Sequence, residues 1–149
     1  MTQTPRPDKT KYYLEIAAAV ARRSTCLRRQ YGAIIVAEDA IVATGYNGAA
    51  RGLANCCDTG ECARARLGIP HGERYELCQA VHAEANAMLS GNRADMRGAT
   101  LYLAGYENGK RLEAPEPCPM CRRMIRNAQI ARVITAAGEE EKNDADEMD

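Results

Sequence analysis

The sequence has no tryptophan, no phenylalanine and no long apolar run, so seven tyrosines supply all of its aromatic surface. Its longest mildly apolar run, residues 16–21, is too short to cross a membrane or to form the hydrophobic part of a secretory signal. These absences favour a soluble, cytoplasmic protein. A length of 149 residues is typical of one domain.

The chain also lacks an excess charge of either sign, because its 20 basic and 20 acidic side chains balance. Seven of the acids lie in residues 139–149 beside one lysine, which leaves 19 basic and 13 acidic side chains in residues 1–138. We therefore expect one domain at residues 1–137 and an acidic, disordered tail at residues 138–149. The basic excess fits either a solvated surface or a small anionic substrate. A polynucleotide partner usually needs a denser basic stripe and is disfavoured.

Hydrophobic spacing predicts an α/β domain with the element order α-β-β-loop-α-β-α-β. A first helix capped by Asp8 or Thr10 should run to about Arg23. The remaining helices and strands are expected at residues 33–37, 40–44, 82–89, 100–103, 117–128 and 131–135. Strands that alternate with helices in the second half indicate parallel crossovers. The intervening residues 45–78 form a long loop that something should hold in place.

Seven cysteines are many for a chain of this length. Their number is odd and no export signal precedes them, which disfavours a disulfide framework and favours metal ligation. They occupy positions Cys26, Cys56, Cys57, Cys62, Cys78, Cys118 and Cys121.

Two short motifs open two of the predicted helices. Cys118 and Cys121 are three residues apart, so they share one helix face near a helix N-terminus that favours thiolates. With His82 they would give zinc three ligands and one open position, as in catalytic sites. Glu84 would then be a proton shuttle and not a ligand. Either motif alone could be a chance His-x-Glu or a redox or structural Cys-x-x-Cys, but together they favour catalysis.

The combination of His82-Ala83-Glu84 with Pro117-Cys118-Pro119-Met120-Cys121 resembles the signature of the zinc-dependent nucleobase deaminases. About residues 12–135 are similar to the deoxycytidylate (dCMP) deaminase branch, with matching stretches at 23–29, 32–36, 44–48, 76–78, 81–87 and 100–102. The resemblance implies a three-layer α/β/α fold with a mixed, mostly parallel sheet of four to five strands. It also implies zinc-dependent hydrolytic deamination of a cytosine nucleotide, dCMP to dUMP with release of ammonia, in a homo-oligomer.

Other functions remain open at this point. The substrate could be cytidine, cytosine or a purine, or the chain could be a zinc-stabilised binding module without activity. The sequence departs from the branch at Ala49-Ala50, where a proline is usual, and in a hairpin-like insertion at residues 105–110. The insertion is expected near the pocket, so substrate choice depends on it.

Three residues are candidate substrate contacts. The resemblance aligns Asn47 with an asparagine that contacts sugar and base, although Asn47 could instead only supply a positive φ in a turn. Tyr102 could line the base pocket or lie in the core. A nucleotide also needs a guanidinium near its phosphate. We take Arg29 as that residue from six candidates that include Arg28, Arg51, Arg64, Arg66 and Arg74.

The resemblance also implies a second, structural zinc with ligands at Cys26 and Cys56. Cys62 and Cys78 are the candidates to complete a four-thiolate site, which leaves Cys57 spare. Such a site would hold the long loop and brace the helix that follows His82. The alternatives are buried free thiols, or His71 in place of one cysteine.

Overall fold

The computed structural model describes residues 5–70, 73–74 and 77–140. Its helices are α1 Lys9–Ala21, α2 Cys56–Thr59, α3 Ala63–Arg66, α4 Ala83–Ser90, α5 Arg93–Met96 and α6 Pro119–Asn127. Its strands are β1 Arg29–Ala37, β2 Ala40–Tyr46, β3 Gly48–Ala49, β4 Ala80–Val81, β5 Thr100–Glu107, β6 Lys110–Arg111, β7 Arg132–Thr135 and β8 Gly138–Glu139. None of the described helices has the length and apolar character needed to cross a bilayer.

The central sheet has six strands in the order β2-β1-β5-β7-β8, with β6 paired to β5. This confirms an α/β fold with a mixed sheet, but the expected mostly parallel sheet of four to five strands is wrong. Among the described strands of this sheet, β5 and β7 form the single parallel pair, while β1 runs antiparallel to both β2 and β5. Strands β1 and β2 are antiparallel because a two-residue turn reverses the chain between them, whereas β5 reaches its antiparallel position beside β1 only after the long segment that includes α4. The crossover through α6 then returns β7 parallel to β5.

Helices cover both faces of the sheet, which confirms the three-layer arrangement. Ile34, Val36 and Tyr102 point to the face covered by α1. Ile35 and Leu103, which alternate with them, point to the opposite face, together with Ala83 and Ala87 of α4 and Ile125 of α6. The period of two in β1 and β5 therefore decides which side chains can reach α4 and α6.

Two predicted hairpins are confirmed. Glu38 and Asp39 join β1 to β2 with φ values of 50° and 60°, the conformation that a two-residue hairpin of type I′ requires. Asn108 and Gly109 join β5 to β6 with φ values of 51° and 76°. The insertion at residues 105–110 is thus a short extension at the end of β5.

Close packing fixes helix α4 against the sheet. A Cβ on Gly45 of β2 would lie 2.3 Å from the Ala87 nitrogen and 2.5 Å from the Ala83 oxygen, so only glycine permits this approach. The Asn86 side chain also donates to the Tyr46 carbonyl oxygen over 2.8 Å. These contacts place the start of α4 at the end of β2.

The two ends of the predicted domain are the cap of α1 and the segment after β7. Asp8 caps α1, since its side chain accepts a hydrogen bond from the Lys11 amide, and this decides between the two candidate caps. Gly138 and Glu139, which we assigned to the tail, form β8 and pair with β7. Residues 141–149 lie outside the described part of the chain.

Candidate active site

His82, Cys118 and Cys121 converge at the starts of two helices. The His82 Nδ1 atom lies 3.4 Å from each of the two cysteine sulfurs. The three ligand atoms all lie within 4.8 Å of one another, and no other described residues bring three or more His, Cys, Asp or Glu ligand atoms that close. The predicted ligand set is therefore assembled in space.

Local structure explains this convergence. His82 is the N-cap of α4, and the two preceding residues form β4, which pairs with β3. Cys118 is the N-cap of α6, and its sulfur accepts a hydrogen bond from the Cys121 amide over 3.4 Å. Pro119 occupies the first turn, where its missing N–H leaves no partner unsatisfied. All three ligands thus belong to helix starts.

The thiols and the imidazole perturb one another. The pKa of Cys118 is lowered, first by its hydrogen bond with Cys121 and then by His82. The pKa of Cys121 is raised by the same contact with Cys118 and by burial. The pKa of His82 is raised because its ring bonds to the Cys118 sulfur.

Glu84 lies two residues after His82, in the first turn of α4. Its side chain is only 5% exposed, yet it lines the same cavity as His82 and Cys118. Burial raises the pKa of this carboxyl, against smaller lowering effects of His82 and Cys121. Its carboxylate oxygens are not part of the converging ligand group.

The three converging side chains fit zinc by their chemistry. One imidazole nitrogen and two thiolates are the soft and borderline donors that zinc selects, and three protein ligands leave one tetrahedral position open. The cavity beside them has a volume of about 370 Å³, within the range of small-molecule sites. The arrangement can hold a metal with an exchangeable position next to a buried carboxyl.

Comparison with known proteins agrees with this chemistry. Residues 7–137 match the model of the cytidine and deoxycytidylate deaminase zinc-binding region. The chain belongs to this deaminase family. Membership supports zinc as the metal that His82, Cys118 and Cys121 bind.

Individual relatives are similar over different lengths. A deoxycytidylate deaminase of Mycobacterium phage D29 is 41% identical over 134 residues, covering 87% of this chain and 94% of the relative. That of Schizosaccharomyces pombe is 39% identical over 98 residues, but the match covers 65% of this chain and only 30% of the relative. A crystal structure of dCMP deaminase from cyanophage S-TIM5, in complex with dCMP and dUMP, has a TM-score of 0.62 and 26% identity, covering 89% and 83% of the two chains.

Asn47 lies between β2 and β3 and lines the cavity, and hydrogen bonds to β1 hold its side chain. Its side chain is 6% exposed, and its Oδ1 accepts from the Tyr31 amide over 2.8 Å. Its Nδ2 donates to the Arg29 carbonyl oxygen over 2.9 Å. Asn47 is not among the described residues with positive φ, so the alternative of a left-handed turn residue is wrong.

Tyr102 does not line the cavity, and its prediction as a substrate contact is wrong. It pairs with Ile34 in the β1–β5 register and points to the α1 face. There its ring lies 5.1 Å from that of Tyr13, and the residue is 7% exposed. The sequence could not show this, because the strand's register decides which of two alternating faces a tyrosine occupies.

Three of the six candidate arginines line the cavity: Arg28, Arg29 and Arg64. Arg29 forms an ion pair of 3.1 Å with Glu107 and donates to the Tyr31 hydroxyl over 3.3 Å. Arg64 is buried and donates to the carbonyl oxygens of Pro70 and Glu73. The cavity therefore combines a metal site with guanidinium groups.

Tyr31 is a cavity residue that the motifs did not identify. It lies two residues after Arg29 on β1, so both side chains occupy the same face, and this spacing is the signal that could have found it. Gly105 makes room for its ring, since a Cβ there would lie 2.7 Å from the ring. Tyr31 therefore both lines the cavity and contacts Arg29.

The remaining cysteines lie in one region, but their sulfur atoms are farther apart than the ligand atoms of His82, Cys118 and Cys121. Cys26, Cys62 and Cys78 line the main cavity, and a second cavity contacts Cys56, Cys62 and Cys78. Burial and the neighbouring cysteines raise the pKa of Cys56. Their sulfurs do not form a group within 4.8 Å. Cys57 is exposed, and His71 lies outside the described residues.

Proposed function

We propose that this protein is a zinc-dependent hydrolytic deaminase that converts dCMP to dUMP with release of ammonia. The observation that carries this proposal is the buried Glu84 carboxyl in the cavity of His82 and Cys118. The relatives named deoxycytidylate deaminase, and the similar structure with dCMP and dUMP, support the choice of substrate.

Each cavity residue then has a defined task. Zinc, when bound by His82, Cys118 and Cys121, supplies a Lewis acid that makes water more acidic. Glu84 takes one proton from the attacking water and delivers it to ring nitrogen 3 while the water oxygen bonds to carbon 4. It then moves the second proton, from the new hydroxyl at carbon 4, to the amino nitrogen, so that the carbon–nitrogen bond breaks and ammonia leaves. Its burial excludes bulk water from this transfer.

The other cavity side chains would bind the rest of the nucleotide. Asn47 contacts the sugar and base while its hydrogen bonds to β1 hold its amide in one orientation. Arg29 binds the 5′-phosphate, because Glu107 and Tyr31 fix its guanidinium at the cavity. Arg28 and Arg64 line the same cavity and are the further candidates for this contact.

Ammonia release from separate substrates tests this function. The purified protein is incubated with dCMP, dCTP, deoxycytidine, cytidine, cytosine, adenosine and guanine. We expect release from dCMP above all others. If only the unphosphorylated compounds react, the assignment of a phosphate contact is wrong. If none reacts although zinc is bound, the protein is a zinc-stabilised binding module.

We propose a second, structural zinc at Cys26, Cys56, Cys62 and Cys78. All four thiols lie around two adjoining cavities, and a four-thiolate site would draw the segment between β3 and β4 together. Elemental analysis should give close to two zinc ions per chain. A value near one would remove this site.

We also propose that the protein assembles as a homo-oligomer. Large apolar side chains are exposed on helices α4 and α6, namely Leu89, Met120 and Met124. A second copy would cover them. Light scattering behind size-exclusion chromatography measures the mass, and a mass of one chain would contradict the proposal.

The seven free cysteines support a cytoplasmic location, because reduced thiols persist in reducing compartments. Fractionation of the producing cells, with immunodetection, is the direct measurement.

A further inference from the structure

A carbonyl oxygen next to a zinc ligand is bound by an arginine side chain. The Arg122 Nε donates to the Pro117 carbonyl oxygen over 3.1 Å, and Pro117 directly precedes Cys118. The Arg122 backbone amide donates to the Cys118 carbonyl oxygen over 2.9 Å. One residue of α6 therefore holds the peptide groups on both sides of a ligand.

The same guanidinium is anchored from the opposite side by the end of the sheet. Its Nη2 lies 2.5 Å from the Glu140 carboxylate and 3.7 Å from that of Glu116. Glu140 is itself held in place, since its amide donates to the Val133 carbonyl oxygen of β7 over 2.8 Å. The contacts run from β7 through Glu140 and Arg122 to Pro117.

We propose that Arg122 is a positioning residue for the zinc site and that Glu140, the residue after strand β8, fixes its guanidinium. Cys118 is the N-cap of α6, so the orientation of the Pro117–Cys118 peptide determines where its sulfur points. A side chain bonded to this peptide restricts that orientation before the metal binds. Groups that orient ligands in this way commonly contribute about 10- to 100-fold to metal affinity.

The proposal rests on zinc binding at His82, Cys118 and Cys121 but not on dCMP as the substrate. It assigns a role to Glu140, which lies within residues 138–149, the segment that we expected to be a disordered tail. The role needs no contact between Glu140 and the substrate.

The chain offers matched controls for both partners. Glu139 precedes Glu140 on the same hairpin and forms its own ion pair, 3.0 Å long, with Arg132. That pair does not contact the Pro117–Cys118 turn. Arg123 follows Arg122 on α6 and is exposed.

Zinc transfer from the full-length, zinc-loaded protein to a chromogenic chelator, without substrate, tests the proposal. Zinc release is followed over time, and the phase that is missing in His82→Ala is assigned to the His82 site. We expect Arg122→Met to speed this phase about tenfold and Glu140→Ala about threefold, as for a partly exposed ion pair. Arg123→Met and Glu139→Ala should release zinc at the wild-type rate.

Thermal unfolding of each variant separates a local effect from general loss of stability. Wild-type release rates in Arg122→Met and Glu140→Ala would overturn the proposal. Equal acceleration in Glu139→Ala would also overturn it, because loss of the β8 hairpin would then explain the effect. If Arg122→Met fails to fold, the zinc release rates of Glu140→Ala and Glu139→Ala are compared instead, and faster release from Glu140→Ala alone supports the proposal. Because no substrate is present, these outcomes are independent of the dCMP proposal.

Discussion

Two cysteine-containing regions of this molecule differ in how far the fold alone assembles them. Cys118 and Cys121, with His82, lie at the starts of helices that pack on the sheet, and their ligand atoms lie within 4.8 Å of one another. Cys56, Cys62 and Cys78 lie between β3 and β4, on four-residue helices and connecting chain, and their sulfurs do not converge as closely. A ligand set is preorganised where a hydrophobic core positions its backbone. Elsewhere the metal itself must supply the energy of assembly.

The largest effect is expected from replacing Glu84, which lies beside His82 and Cys118. This variant tests the deamination chemistry separately from the assembly of the metal site. Glu84→Gln keeps the size of the side chain but removes the carboxyl group that we propose as the proton shuttle. Turnover of dCMP should fall by about 10²- to 10⁴-fold, the usual contribution of general acid–base catalysis. Steady-state kinetics and zinc analysis on the same preparation measure this. Zinc at the wild-type level with lost turnover is expected, whereas undiminished turnover would exclude Glu84 from catalysis.

The next effect tests the close packing on the sheet of α4, the helix that His82 caps. Gly45→Ala places a Cβ 2.3 Å from the Ala87 nitrogen, which forces α4 away from β2. We expect a loss of about 3 kcal/mol of unfolding free energy, at the upper end for overpacking. Urea denaturation measures it. Ser90→Ala at the end of the same helix is the control, because Ser90 is exposed and should change stability by less than about 0.5 kcal/mol. Equal stability of both variants would refute this dependence on close packing.

A smaller effect is expected from the cysteine region. Cys62→Ser removes one thiolate of the proposed second site, so zinc content should fall from two to one per chain. Limited proteolysis should then cut faster between residues 50 and 79, while the sheet stays protected. Cys57→Ser is the matched control, since Cys57 is exposed and not a proposed ligand. A wild-type content of one zinc, or an unchanged zinc content in Cys62→Ser, would mean that this region is not metal-bound. Equal zinc losses in both variants would mean that Cys57 also belongs to the site.

The smallest effect is expected on the α1 face of the sheet, away from both cysteine-containing regions. The Tyr13 hydroxyl donates to the Asp39 carboxylate over 2.7 Å, and this bond raises the pKa of Tyr13 from 10.0 to about 12. The folded state therefore favours the neutral phenol. Its contribution to stability is complete below pH 10 and is lost as pH rises toward about 12. Melting temperature measured from pH 8 to 11.5 should fall less steeply in Tyr13→Phe. Parallel curves for both proteins would contradict this, and zinc content should not change.

The candidate ligand set of His82, Cys118 and Cys121 was predictable because each of its parts is local. A histidine at one helix start and two cysteines three residues apart at another are visible in the sequence. The helices themselves follow from hydrophobic spacing and capping, and their observed bounds differ from the expected ones by one or two residues. The hairpin at Glu38-Asp39 was equally local.

Errors arose where distant segments meet. Tyr102 was misplaced because its face depends on the register between β1 and β5, two strands about 70 residues apart. The mostly parallel sheet that the resemblance implied was also wrong, although the parallel crossover indicated by the second half of the chain is present between β5 and β7. The start of the predicted tail proved to be β8 because its partner is β7.

The amino-acid sequence by itself determined which donor atoms this protein offers to zinc and that they lie at helix starts. Short-range spacing carries that information, because it depends on the geometry of one helical turn. Only the tertiary structure decided which side chains share the cavity. It placed Asn47, Arg29 and Tyr31 with His82 and Glu84, and Tyr102 on the other face. Strand register and helix packing are long-range properties, and no single segment encodes them.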